Sequence, residues 1–234
     1  ASSYGVLCTD SPDERSIDVG LLYDKSVFSL VDFKELNATN PSLGDYKTRN
    51  ILFATLKAKN GDVLYVFVNH WPSRRGGEEV TAPLREFAAG VSKHIIDSLM
   101  AINPNTKVVD MGDLNDNPTD PSMVKVLKCV DKKEECKPSG IFNPWVDFYK
   151  KGIGTLGYND SWSLFDQIVV SYGWLPKDQS GYFYQGAHIF KKDFMLQKTG
   201  KYKNYPKRTW DFNIYNAGYS DHFPTYLTIL KEVK

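Results

Sequence analysis

The sequence predicts a mixed α+β fold, on three observations: apolar segments joined at an Asn-Gly turn, one long amphipathic helical pattern, and short strand-like runs on both sides of it. IDVGLLY (17–23) and SVFSLVDF (26–33) read as strands separated by Asp24-Lys25, a polar break that fits a hairpin. NILFATLKA (50–58) and DVLYVFVN (62–69) flank Lys59-Asn60-Gly61, and Asn-Gly favours a tight hairpin because both residues tolerate positive φ. Two successive hairpins predict antiparallel sheet. Over 81–102, Leu84, Phe87, Ala88, Val91, Ile95, Leu99 and Ile102 recur at three- and four-residue spacing, predicting a helix with Thr81 as N-cap and a stop at Asn103-Pro104. KVVDMGD (107–113) reads as a buried strand, and Asp120-Pro121 as the N-cap and first-turn proline of a short helix through Lys128. FDQIVVS (165–171), AHIFKK (187–192) and PTYLTIL (224–230) are the remaining strands; 131–161 and 172–218 read as loop-rich.

At 234 residues with 41% hydrophobic content the chain can bury a substantial core. No linker, repeat or low-complexity tract divides it, so one domain over 1–234 is expected. The formal charge is +1, which excludes a global electrostatic commitment to polyanions. Locally, Lys191, Lys192, Lys198, Lys201, Lys203, Lys207 and Arg208 make 191–208 basic, with Tyr202, Tyr205 and Trp210 beside them. That stretch reads either as a polyanion contact or as a solvated loop. Cys8, Cys129 and Cys136 give no disulfide framework and no zinc spacing, although Cys129 and Cys136 flank VDKKEE and are placed to close a small loop under oxidising conditions. No apolar run approaches 18 residues, and ASSYG lacks the n- and h-regions of an export signal. A soluble monomer is expected, with the compartment open and export of a full-length form one reading.

Chemistry concentrates where apolar runs end. VFVNHWPSR (66–74) places Asn69 and His70 at a strand terminus, VVDMGDLND (108–116) does the same for Asp113 and Asn115, and GYSDHFP (218–224) presents Asp221 and His222 ahead of the last strand. Buried strand ends fix side chains better than free loops do. Asp166 lies inside LFDQIVV, where a carboxylate is costly unless paired, and His222 is the expected partner. Each motif alone also reads as a turn or a strand cap.

Taken in order, NHWPSR, GDLND, FDQIVVS and SDH, with RSIDVGLLYD (15–24) upstream, resemble the endonuclease/exonuclease/phosphatase superfamily from about residue 10 to the C-terminus. The resemblance implies a DNase I-like four-layer α/β/β/α sandwich of two mixed, mainly antiparallel sheets, with the site at one edge. It implies a divalent-metal-dependent phosphoester hydrolase that uses Mg2+, or Mn2+ or Ca2+ in its place, on a phosphodiester or phosphomonoester, nucleic acid included. An endonuclease-like phosphodiesterase is the favoured member; a phosphatase, a sphingomyelinase or an impaired binding module of the same fold are alternatives. By residue, it makes His70 the phosphate-binding and protonating histidine, Asp113 the group that aligns water, and Asn115 the amide on the scissile phosphate. Asp166 orients His222, the phosphate contact or base, and Asp221 stands by the metal. Asn69 is added as a phosphate contact, and Arg15, Arg49 and Arg74 read either as further phosphate contacts or as ordinary surface or structural arginines. The family's N-terminal strand, helix and second strand ending in a metal-binding Glu have no counterpart in the fourteen residues before Arg15, so an N-terminally incomplete member is expected.

Overall fold

Seven strands build the central sheet of the computed structural model, which describes residues 3–177, 181–211 and 213–231. In chain order, β1 (Tyr4–Cys8) and β2 (Gly20–Asp24) form a ribbon, followed by β3 (Phe28–Leu36), β4 (Ile51–Ala58), β5 (Val63–His70), helix α1 (Glu78–Ile102) and β6 (Lys107–Asp113). A π-helical turn, Ser122–Val126, leads to β7 (Cys129–Val130), β8 (Ile141–Phe142), helix α2 (Val146–Lys150), β9 (Leu156–Tyr158), β10 (Ser161–Ser163) and β11 (Asp166–Ser171). β12 (Phe183–Ile189), β13 (Trp210–Asp211), β14 (Ile214–Tyr215) and β15 (Thr225–Leu230) follow. The sheet order is β3-β4-β5-β6-β11-β8-β7; the β5–β6 and β7–β8 pairs are parallel and the other neighbours antiparallel. Parallel neighbours need a crossover, and α1 provides the one between β5 and β6.

Both faces of this sheet are buried, which explains the nearly continuous apolar runs of β4 and β5. Ile51, Phe53, Phe67, Val108 and Val169 pack with Ala88, Ala89, Ile96 and Met100 of α1. On the opposite face, Leu52, Ala54, Leu64, Val66 and Val170 pack with Val19 and Leu21 beside β1–β2 and with Tyr184 of β12. The second β layer is therefore present, as two ribbons, β1–β2 and β12–β15, with no hydrogen-bonded pairing between them among the described residues. Among those residues α1 is the one helix longer than five residues, so the helical covering is concentrated on its side.

The Asn-Gly hairpin forms as expected, with Leu52 opposite Val68 and Gly61 at φ +97°. The expected 17–23/26–33 hairpin does not. Asp24 accepts from Val27 and Ser26 in a turn that carries the chain out of the ribbon, so that β3 pairs with β4 in the large sheet. Thr81 is likewise not the N-cap. The helix starts at Glu78 after Gly77, Glu78 and Glu79 complement its N-terminal dipole, and the Thr81 hydroxyl donates back to the Gly77 carbonyl. Within 131–161, β9 and β10 form a hairpin through Asn159 and Asp160, both at positive φ, the signature of a type I′ turn. Cys129 and Cys136 are free thiols, and no disulfide joins them.

Gly112 is required by the packing of β6 on β5. Its φ is +143°, and a Cβ there would lie 1.9 Å from the Asn69 carbonyl oxygen. Gly112→Ala is expected to destabilise the protein by about 2–4 kcal/mol through strain and strand separation. A urea midpoint within error of wild type would show that the two strands part freely.

Candidate active site

Register places the chemistry. β6 lies between parallel β5 and antiparallel β11, and Asp113 pairs with His70 on one side and with Asp166 on the other. Three adjacent strands thus deliver three reactive side chains to one edge of the sheet. Backbone and side-chain bonds hold the edge together: Leu114 N–H donates to Phe165 O (2.9 Å), Trp71 N–H to Asp113 O (3.0 Å), and the Gln167 amide to Asp116 O (2.7 Å).

His222 closes the group from the turn before β15. Its Nδ1 lies 2.8 Å from Asp166 Oδ2 and 3.9 Å from Asp113 Oδ2. His70 Nε2 approaches the same Asp113 oxygen at 3.6 Å. Asp166 Oδ2 also accepts from the Thr155 hydroxyl at 2.5 Å, so the carboxylate is fixed from two directions. Asp113 Oδ1 accepts from the Asn115 backbone N–H at 3.0 Å.

The electrostatics separate the two histidines. Burial pulls His70 down, and the cationic Arg49, Arg15 and His222 reinforce this, to about 4. Burial also disfavours charge on His222, but the Asp166 hydrogen bond and the negative charges of Asp166, Asp113 and Asp221 outweigh it and raise its pKa to about 9. Asp113 is pushed up to about 6 by burial and by the neighbouring Asp166 carboxylate. Near neutral pH the site therefore holds one neutral imidazole, one imidazolium, and a carboxyl group that titrates close by.

The proposed phosphate contacts take other positions. Arg49 is fully buried and donates to Asp13 (2.9 Å) and to the His70 (3.0 Å) and Trp71 (2.6 Å) carbonyls, so it supports the end of β5 instead of facing a substrate. Asn69 is buried too, donating to Asp110 and accepting from the Trp71 indole N–H at 2.9 Å. Arg74 binds the Asn115 carbonyl at 2.8 Å and pairs with Glu78, Asp116 and Asp120, which holds the GDLND loop. The Asn115 amide donates to the Trp71 carbonyl at 2.9 Å, so its side chain braces the loop. Arg15 is largely exposed, 3.4 Å from Asp13, and is free in position to meet solvent-borne anions. Thr155, Asp13 and Arg85, which pairs with Asp116 of GDLND (2.6 Å), carry no motif of their own, and only the fold brings them here.

Asp113, Asp166 and His222 each offer one ligand atom, and the three atoms lie within 4.8 Å of one another. Two carboxylates this close repel, which adds to burial in raising the Asp113 pKa, and a divalent cation would relieve that repulsion. The two carboxylates fit such an ion, whereas His222, protonated and bonded through Nδ1 to Asp166, has no free lone pair there to ligate it. Asp221, the expected metal neighbour, is exposed and stands outside this set.

A family model described as "Endonuclease/Exonuclease/phosphatase family" matches residues 1–231. The chain belongs to this family. Solved structures of the same DNase I-like fold include D. rerio TDP2 complexed with single strand DNA product, at 16% identity over 98% of this chain and 78% of that one, with a TM-score of 0.59. The human Nocturnin catalytic domain with bound sulfate is similar at 15% identity over 97% and 73%, TM-score 0.59. A Bacteroides thetaiotaomicron mannosyl-6-phosphatase is similar at 13% over 97% and 77%, TM-score 0.56. No curated protein sequence matches the chain. Among the described residues, no helix of this family member is long and apolar enough to cross a membrane.

In metal-free protein, imidazole 15N shifts should report His222 protonated until about pH 9 and His70 neutral until about pH 4. A histidine raised in the folded state stabilises fully below its unfolded pKa and loses that contribution as pH rises through the folded value, so the His222 contribution fades toward pH 9. Asp166→Asn should bring His222 down toward about 6.5, the ordinary value. An unmoved His222 in that variant would remove Asp166 as its partner.

Proposed function

We propose that the chain is a divalent-metal-dependent phosphoester hydrolase, an endonuclease-like phosphodiesterase in which water attacks phosphorus. The carrying observation is the convergence of His70, Asp113 and Asp166 on one sheet edge with His222 closing over them. Bound Mg2+ would supply charge neutralisation at the phosphate. The remaining chemistry belongs to side chains.

Asp113, fixed at the strand end by the Asn115 backbone N–H and ionised near neutral pH, is placed to align water and accept its proton. His222, protonated and held through Nδ1 by Asp166, stabilises negative charge on the phosphate as a fixed cationic donor. Thr155 and Asp166 set the orientation of its ring. His70 is neutral in the free protein, which favours hydrogen bonding to the phosphate over proton donation as its first role. Asn115 acts through its backbone N–H, which fixes the Asp113 carboxylate. A nucleic-acid phosphodiester is the first substrate class to test, supported by the NHWPSR and GDLND segments and by the DNA product held in the D. rerio TDP2 structure.

The protein with Mg2+ or Mn2+ is expected to cleave plasmid DNA or bis(p-nitrophenyl) phosphate and to lose activity in EDTA. His222→Ala should lower kcat by about 10²–10⁴ with the fold intact by circular dichroism. Cleavage of neither DNA nor phosphorylated small molecules, with either ion, would refute the reading.

A further inference from the structure

A row of aromatic rings runs from the basic loop to the catalytic edge. Tyr202 and Tyr205 have ring centroids 5.9 Å apart, Tyr205 and Trp162 5.4 Å, and Trp162 and Phe223 6.0 Å with planes only 19° apart. Phe223 directly follows His222, and its backbone N–H donates to the Thr155 carbonyl at 2.9 Å. The row therefore ends on the group that positions Asp166. Its outer end is accessible: Tyr202 is 50% exposed, Tyr205 and Trp162 are partly exposed, and Phe223 anchors the inner end in the core.

Cations sit along the same row. The Lys191 ammonium lies 4.9 Å from the Trp162 ring centroid and 5.2 Å from that of Phe223, and the Lys201 ammonium 5.7 Å from that of Tyr202. Across 190–208 there are seven basic residues against one acidic residue, Asp193, in a chain whose formal charge is +1, so the rest of the chain is net negative. Positive charge is thus gathered where the exposed rings are. Asp160 also meets the row, accepting from the Tyr205 hydroxyl at 3.5 Å.

We infer that this row is a binding surface for unpaired, single-stranded nucleic acid, its rings stacking bases and its lysines meeting phosphates, so that a strand laid along it leads its backbone toward Asp113, Asp166 and His222. The inference rests on the phosphoesterase reading above for its direction and deepens it by naming the strand state of the substrate. Aromatic faces with interleaved cations suit any base that exposes its π-face. A duplex keeps those faces in its own stack and gains nothing from the rings. A lipid surface would use protruding apolar side chains; Phe190 and Phe194 in the basic stretch and Trp210, Ile214 and Tyr215 on the β13–β14 hairpin are exposed, so lipid is the competing occupant that the test separates.

The test is binding without turnover. In EDTA, fluorescence anisotropy of the whole chain would be read with labelled dT12, with a duplex of equal length, and with phosphatidylserine-containing vesicles by co-sedimentation. The expected result is binding of dT12 well above duplex. Tyr202→Ala should weaken it about 5- to 100-fold, the loss of one stacked base, and Tyr202→Phe should restore it. Lys201→Ala should reduce the steepness of the salt dependence by about 0.7 in log–log slope. Equal affinity for duplex, no binding of dT12, or binding that responds to Lys201 but not to the Tyr202 ring would each overturn the inference. So would vesicle binding without dT12 binding, which would assign the face to lipid. Because no hydrolysis is measured, failure here leaves the hydrolase reading standing. Retained dT12 binding in a protein that cleaves nothing would sink that reading alone.

Discussion

Everything at the candidate site depends on where β6 sits in the sheet. Between a parallel neighbour and an antiparallel one, its last residue, Asp113, is brought level with His70 and Asp166 at once. A shift of one residue in either pairing would send one of these side chains to the opposite face, because strand side chains alternate. Gly112 makes the register possible by letting the β6 backbone approach Asn69 more closely than any Cβ would permit. The position of Asp113 is therefore specified one residue before it.

Under this edge lies a shell of buried polar pairs whose work is positional. Arg49 ties Asp13 to the carbonyls of His70 and Trp71, and Asn69 links Asp110 to the Trp71 indole. Arg85 and Arg74 converge on Asp116, which turns the GDLND loop back against the start of α1. Burial would raise the Asp13 carboxyl, yet hydrogen bonds and charge from Arg49 and Arg15 hold it near 2, so the pair stays ionised in the folded protein. Buried ion pairs add little net stability against apolar substitutes. Their value here is that three separate segments are locked to the strand ends with directional bonds.

This division between acting and bracing residues was only partly legible in the sequence. Motifs such as NHW, GDLN and SDH are local, and a strand-end position predicts correctly that His70, Asp113 and His222 meet. The Asp166–His222 pair was legible by energetics, since a carboxylate inside an apolar strand demands a partner. What a motif does not encode is which way a neighbouring polar side chain turns. Arg49, Asn69 and Arg74 have the right chemistry for phosphate but point into the protein, because the nearby carbonyls and carboxylates take their donors first. Thr155 was invisible for the opposite reason: a threonine in a glycine-rich loop has no pattern, and only the β9–β10 hairpin brings it to Asp166. The break after Asp24 was misread as a hairpin because local sequence cannot say whether two adjacent strands pair with each other or with strands in separate layers.

The two histidines show how one carboxylate can serve two opposite neighbours. Asp113 lies within 4 Å of both rings, yet His70 is held neutral and His222 charged. The difference comes from what else surrounds each. His222 has Asp166 at 2.8 Å, whereas at His70 burial and the charges of Arg49, Arg15 and His222 outweigh the one carboxylate that raises it, Asp13. Arg49 is thus more than a brace: it binds the His70 carbonyl and, next to burial, its charge helps keep that ring from competing with His222 for a proton. An anionic phosphate entering between the rings would meet a donor already charged on one side and a ring able to offer a neutral hydrogen bond on the other. Such asymmetry is what pre-organised stabilisation of developing negative charge requires, because neither ring has to change its protonation state before the substrate is bound.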